Sequence, residues 1–291
     1  MQTENQNNYK FFKLIAGFLI ILDVIVWGLI LFPRQSGNFR LYFLDVGQGD
    51  SSLVVSPAGT RILIDGGPLN GNLQQNLEKI LPLSDRYLDI VIVSHPELDH
   101  FAGLLEVLKN YKIGAVVTNG QVGKSQEWRE FENLVKEKNL PEIVLAAGDK
   151  ISSRDFLAKI LSPSASGGLS SNDLSLVILL ESQRVKSLFT ADIGADNEKL
   201  LANLYDLDVD VLKVSHHGSK YSSDVDFLKK ITPIVSVIEV GKNTYGHPTP
   251  QAINNLTAVD SRIFRTDKDG LLKIEFINNQ LKVFASKFIT H

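Results

Sequence analysis

The chain has 291 residues, enough for one large domain or two small ones, with 44% hydrophobic and 22% charged residues, as in an ordinary globular protein. Its formal net charge of −3 supplies no broad basic field for nucleic acid, so an anionic substrate would have to be held locally, most simply by metal ions. There is no cysteine, which excludes disulfides, thiolate metal ligands and cysteine nucleophiles together.

Residues 1–10 read as a polar tail. Phe11 to Phe32 is an apolar run about as long as the ~20 residues that a membrane-crossing helix needs, with Asp23 near its middle. No small-residue cleavage site follows it, so it is expected to be an uncleaved, single-pass anchor. Lys10 and Lys13 before the run and Arg34 and Arg40 after it leave its orientation undecided. Residues 33–38 form a linker, and 39–291 make the main domain. From Phe39, three strands joined by tight turns (Phe39 to Val46, Ser51 to Ser56, Thr60 to Ile64) lead into alternating helices and strands. Helices are predicted over Asn72 to Leu81, Phe101 to Asn110, Gln126 to Lys138, Ala195 to Tyr205 and Asp224 to Lys230. Strands are predicted over Leu88 to Val93, Gly114 to Thr118, Glu142 to Ala146, Phe156 to Ser162, Leu174 to Glu181, Val185 to Thr190, Val209 to Val214 and Ile234 to Val240. Three segments close the chain: Arg262 to Phe264, Gly270 to Ile277 and Gln280 to Ala285.

The strand ending at Val93 opens into Ser94-His95-Pro96-Glu97-Leu98-Asp99-His100, which places two imidazoles and two carboxylates within six residues. These are the side chains that hold divalent metals at neutral pH. The pattern has an echo. Arg61 to Ile64 ends in Asp65 and the next strand ends in Ser94-His95; Leu188 to Ala191 ends in Asp192 and the next strand ends in Ser215-His216. A repeated unit of this kind implies two sheets whose strand ends meet, and ligands collect in crevices at the carboxyl ends of strands. The candidates are therefore His95, Glu97, Asp99, His100, Asp192, His216, His217 and His247, which contain every histidine but His291. Two ions held by such a set could clamp an in-line displacement. Lys213, Lys220, Lys229 and Lys230 read as a solvated face.

The segments Leu44 to Ser51, Leu63 to Gly67, Ser94 to His100, Leu188 to Ile193, Lys213 to Ser219 and Tyr245 to Pro248 resemble the metallo-β-lactamase-fold hydrolases. Within these they are most similar to the soluble domain of ComEC-type DNA-uptake proteins. The resemblance covers Phe39 to Ala285. It implies an α/β fold, a four-layer αββα sandwich with metals at one edge of its two sheets. It implies one or two divalent ions, Mn²⁺ or Zn²⁺ with Mg²⁺ as a further option, ligated by His95, Glu97, Asp99, His100, Asp192, His216 and His247, with Asp192 bridging. Asp99, His216 and His217 would be catalytic, and which of the two adjacent histidines ligates stays open. Asp65 would orient a ligating histidine, with Asp45 and Asp50 also supporting the site. Gln48, Ser219 and Ser222 would meet a phosphate, the serines being equally suited to capping the helix before Asp224. Glu97 stands where the family has its second histidine, and no histidine lies between His100 and His216; Asn172 or Asp173 is a candidate replacement. The implied substrate is DNA or another phosphodiester, with a membrane channel as a partner and an extracytoplasmic location at the cell membrane. Two rival readings are a non-catalytic anchored scaffold and a hydrolase of a small ester or lactone.

Overall fold

The computed structural model describes residues 13–23, 26–27, 37–163, 170–278 and 280–287. The chain divides into two units, Met1–Gly37 and Asn38–His291. In the first, residues 13–23 and 26–27 are helical (α1). Among the described residues no helix is long and apolar enough to cross a membrane. This overturns the expected anchor and the membrane location drawn from it. The remainder of that run (11–12, 24–25 and 28–32), the tail 1–10 and linker residues 33–36 lie outside the described residues.

The second unit holds two sheets. The first has eight strands in the order β15-β14-β1-β2-β3-β4-β5-β6. These are β1 (Arg40–Phe43), β2 (Ser52–Val55), β3 (Arg61–Ile64), β4 (Tyr87–Ile92), β5 (Lys112–Thr118), β6 (Glu142–Val144), β14 (Leu272–Ile277) and β15 (Gln280–Ala285). The second has seven, β13-β12-β11-β10-β9-β8-β7. Its members are β7 (Lys150–Ser152), β8 (Leu157–Ser162), β9 (Val177–Ser182), β10 (Val185–Phe189), β11 (Val211–Lys213), β12 (Val235–Ile238) and β13 (Arg262–Arg265).

Period-two alternation sorts each strand's side chains between two cores. In β1, Leu41 and Phe43 face a core between the sheets shared with Phe189, Val211 and Val235, whereas Tyr42 faces the outer side. That outer side packs Leu73 and Leu77 of α2 (Asn72–Ile80), Leu104 and Leu108 of α4 (Leu104–Asn110), and Trp128 and Phe131 of α5 (Gln126–Glu137). The second sheet's outer face packs Leu201 of α6 (Ala195–Leu204), Phe227 and Leu228 of α7 (Val225–Ile231), and Leu256 of α8 (Pro250–Thr257). Three cores between four layers give an αββα sandwich.

The repeated unit seen in the sequence is built as parallel pairs. In the first sheet β3 lies parallel to β4, and in the second β10 lies parallel to β11. Asp65 and His95 follow the first pair; Asp192 and His216 follow the second. The predicted helix from Phe101 is instead two, α3 (Leu98–Phe101) and α4, because Gly103 passes so close to Gly66 that a Cβ there would collide with the Gly66 carbonyl. Strand β7, helix α8 and a last short helix α9 (Thr266–Asp269) add to the predicted elements.

Candidate metal centre

His95, His100, Asp192 and His217 are all buried, and their side chains converge at the carboxyl ends of β4, β10 and β11. The β4–α3 turn supplies His95, and α3 supplies the partly exposed Asp99 and the buried His100. The turn is docked by its backbone: the Asp50 amide donates to the Asp99 carbonyl at 3.1 Å, and Gly49 lies too close to that carbonyl for any Cβ.

Hydrogen bonds orient every buried imidazole the same way. His100 Nδ1 lies 2.9 Å from Asp65 Oδ2. His95 Nδ1 lies 3.0 Å from Ser94 Oγ, whose hydroxyl donates to Asp65 Oδ2 at 2.7 Å. His217 Nδ1 lies 2.9 Å from the Glu239 carbonyl oxygen, with Asp50 Oδ1 at 3.2 Å. Each Nδ1 faces an acceptor and so carries its proton there, which turns the Nε2 lone pair inward. His95 Nε2, His100 Nε2, His217 Nε2 and Asp192 Oδ1 are all buried with no hydrogen-bond donor or acceptor satisfying them. Leaving one such group unsatisfied costs on the order of 1–3 kcal/mol, and here four meet. Their separations suit shared cations: His100 Nε2 to Asp192 Oδ1 is 3.3 Å, His217 Nε2 to Asp99 Oδ2 is 3.4 Å, and His217 Nε2 to Asp192 Oδ2 is 3.7 Å. The sets His95–His100–Asp192 and Asp99–His100–His217 each bring three ligand atoms within 4.8 Å of one another. The residues present fit a divalent metal.

Charge follows the same geometry. Burial lowers His95, helped by the neighbouring His100, to about 3, so it is a neutral ligand. Burial opposes charge on His100, but Asp192 and Asp65 outweigh it and hold the imidazole well above the usual histidine range. Burial would raise Asp192, yet His100 and His217 keep it well below the ordinary carboxylate range. Asp99 is likewise pushed up by burial but held at about 2 by the neighbouring His217 and His100.

The loop after β11 is unusual. His216 and His217 are consecutive residues in the left-handed region, with φ of 49° and 52°. Each costs about 1–2 kcal/mol, and such strain persists only where surroundings fix it. Buried Glu198 on α6 fixes both ends of this loop, accepting from Ser215 Oγ at 2.7 Å, Ser223 N at 2.9 Å and Asp224 N at 2.8 Å. The result separates the two histidines. His217 points into the cluster; His216 is half-buried, with Nε2 3.8 Å from Asp192 Oδ2 and outside the converging sets.

His216 lines an open cleft of about 330 Å³ together with Gln48, Glu97, Asp99, Asn172, Asp192, His217, Tyr245 and His247. Glu97 and His247 therefore flank the cluster rather than join the converging sets; Glu97 is exposed at the head of α3, and the His247 ring lies 5.8 Å from that of His216. Asn172 faces the cleft, whereas Asp173 is turned away to Ser170 and Asn197. Asp45 is drawn off by Lys287 at 2.8 Å. Ser219 and Ser222 are buried within their loop, Ser219 Oγ accepting from Tyr221 N and Ser222 Oγ donating to the Ser215 carbonyl. Neither serine lines the cleft, and neither caps α7, because Asp224 does so itself.

Beneath the cluster lies a layer that the sequence did not disclose. Lys213 is buried rather than part of a solvated face: Nζ sits against the Asp50 carboxylate and donates to the Ala191 carbonyl at 3.1 Å. Buried Glu239 accepts from Ser51 N and Ser52 Oγ, each at 3.2 Å. Burial lowers Lys213 to about 7, against the pull of Glu239, and raises Glu239 to about 7.

The profile of the metallo-beta-lactamase superfamily matches residues 44–238. ComE operon protein 3 of Bacillus subtilis is 29% identical over 277 residues, spanning 89% of this chain and 36% of the relative. Recombination protein 2 of Haemophilus influenzae is 30% identical over 274 residues, spanning 92% of this chain and 32% of the relative. The chain thus spans about a third of the length of these curated relatives. The crystal structure of the metallo-beta-lactamase fold protein YhfI from Bacillus subtilis superposes with a TM-score of 0.57 at 12% identity, covering 81% of this chain and all of that one. With the two-sheet fold, the oriented histidines and the matched profile in agreement, the chain belongs to the metallo-β-lactamase superfamily of metal-dependent hydrolases, in its ComEC-like family.

Proposed function

We propose that the chain is a divalent-metal-dependent phosphodiesterase acting on DNA. The observation that carries this reading is the pair of cleft imidazoles, His216 and His247, standing beside a ligand cluster that does not need them. Hydrolysis of a diester must protonate a departing alkoxide, and a histidine beside the cluster is suited to that proton transfer. The cleft also has three carboxylates in its lining (Glu97, Asp99 and Asp192) and neither lysine nor arginine, so the charge of an anionic substrate would be met chiefly by cations held there. Similarity to proteins named for competence and recombination supports DNA as the diester.

In this reading His95, Asp99, His100, Asp192 and His217 would hold one or two ions. Asp65, Ser94 and the Glu239 carbonyl hold the three imidazoles by Nδ1 with Nε2 aimed inward. The absence of thiolate and the share of carboxylate oxygen favour Mn²⁺, with Zn²⁺ and Mg²⁺ as alternatives. Bound metal would supply an activated water and neutralise charge on the phosphoryl oxygens. His216 or His247 delivers the proton to the leaving oxygen, and Gln48 and Asn172 offer amide donors to the phosphate from the cleft wall.

The test is a substrate panel: linear DNA, bis(p-nitrophenyl) phosphate, a lactone and a thioester, each with the metal-free full-length chain and after addition of Mn²⁺, Zn²⁺ or Mg²⁺. The expected result is turnover of both phosphodiesters that requires a metal and is lost in Asp99→Ala. Turnover confined to the lactone or thioester would overturn the phosphodiesterase reading.

A further inference from the structure

Tyr245 is an anomaly among the residues of the cleft. It is 74% exposed, although a tyrosine ring is costly to leave in water and most of the other described aromatic side chains outside α1 are at least partly buried. Its backbone is nonetheless braced. Asn243 braces the loop with its whole amide: Oδ1 accepts from Tyr245 N at 3.1 Å and from His247 N at 3.0 Å, while Nδ2 donates to the Gly241 and His247 carbonyls, each at 2.9 Å. Gly246, at φ 76°, lets the chain turn between Tyr245 and His247. The outcome is a row of rings from the open rim to the cluster. Tyr245 lies 5.8 Å from His247 at an interplanar angle of 32°, and His247 lies 5.8 Å from His216 at 83°.

A pre-set, solvent-facing aromatic plane at the wall of a polar cleft is a receptor for another flat, apolar face. Nucleobases stack on such side chains whatever their sequence, and alanine substitution of a stacking ring costs roughly tenfold in binding. In a duplex both faces of a base are already covered by its neighbours, so the base that can use Tyr245 is an unpaired one. The cleft lining has no lysine or arginine to track a backbone, which leaves ring stacking as the contact that can hold the nucleoside beside a metal-bound phosphate.

We propose that Tyr245 is a base-stacking platform beside the scissile diester and that the substrate is therefore single-stranded DNA; this deepens, and rests on, the phosphodiesterase reading. Two measurements on the full-length chain separate the two ideas. The first is binding of a single-stranded oligonucleotide carrying 2-aminopurine to the metal-free protein, followed by the quenching that stacking causes. Quenching by the wild type that is retained in Tyr245→Phe and weakened about tenfold in Tyr245→Ala is expected. Equal quenching by wild type and Tyr245→Ala would overturn the platform. The second is Mn²⁺-dependent cleavage of that oligonucleotide against one with an abasic residue beside the diester. The wild type is expected to prefer the base-bearing strand about tenfold in kcat/KM, and Tyr245→Ala to lose that preference. A wild type that cuts both strands alike would overturn the proposal while leaving the hydrolase standing. Quenching that depends on Tyr245 without cleavage of any diester would support the platform and overturn the hydrolysis.

Discussion

Asp192→Asn is expected to abolish metal-dependent turnover, a loss larger than the ~10–100-fold typical of residues that merely orient a ligand. Asp192 lies against both His100 Nε2, at 3.3 Å, and His217 Nε2, at 3.7 Å. An asparagine keeps its shape and one oxygen but not the charge that two adjacent cations would require. Asp65→Asn provides the graded comparison. It leaves every ligand atom in place but weakens the acceptor that fixes His100 Nδ1 and, through Ser94, His95 Nδ1, so a loss of about 10–100-fold is expected. Steady-state rates with Mn²⁺, together with circular dichroism to show that both variants fold, decide the matter. Asp192→Asn with wild-type turnover would remove Asp192 from the centre.

The second large effect falls on stability. Lys213→Met removes the cation set against Asp50 in a layer where Asp50, Asp65, Glu239 and Lys213 are all buried. Breaking a buried pair by removing one partner leaves an uncompensated charge and costs about 3–5 kcal/mol, far more than the pair itself contributes. Urea unfolding of the full-length metal-free chain measures it, and the double variant Asp50→Asn, Lys213→Met should be less unstable than the sum of the single ones because the stranded charge is gone. A loss below about 1 kcal/mol for Lys213→Met would mean that this layer is not held by the lysine.

The fold was legible where local pattern and tertiary role coincide. The β-branched runs before Asp65, His95, Asp192 and His216 are buried strands, and their repetition anticipated two sheets with strand ends meeting. The turn at His95 to His100 declared itself because ligand-type side chains crowd a strand end. What stayed hidden depends on which way a side chain points. Glu97 sits in the same turn as His95 and His100, but α3 turns it outward. His216 and His217 are neighbours in sequence, and only their shared left-handed backbone sends one into the cluster and the other to the cleft. Lys213 occupies an inward position of a strand flanked by valines and leucines, a signal that its residue type masked. Glu239 follows Val-Ser-Val-Ile in the same manner, and Glu198 on a polar helix carried no signal at all. The apolar run of residues 11–32 led to an expected anchor because hydropathy reads composition alone, whereas among the described residues no helix is long and apolar enough to cross a membrane. Helix α8 could have been read, since Thr249-Pro250 is an N-cap followed by proline at the first helical position, and Thr249 Oγ1 does accept from Ala252 N.

The most direct test of the central claim, that the inward Nε2 atoms and Asp192 form a metal centre, is calorimetric titration of Mn²⁺ into the metal-free full-length chain. One or two ions should bind per chain, with a heat that varies with the buffer's ionisation enthalpy, because His100 must give up its proton to bind metal. Absence of binding by Mn²⁺, and equally by Zn²⁺ and Mg²⁺, would contradict it.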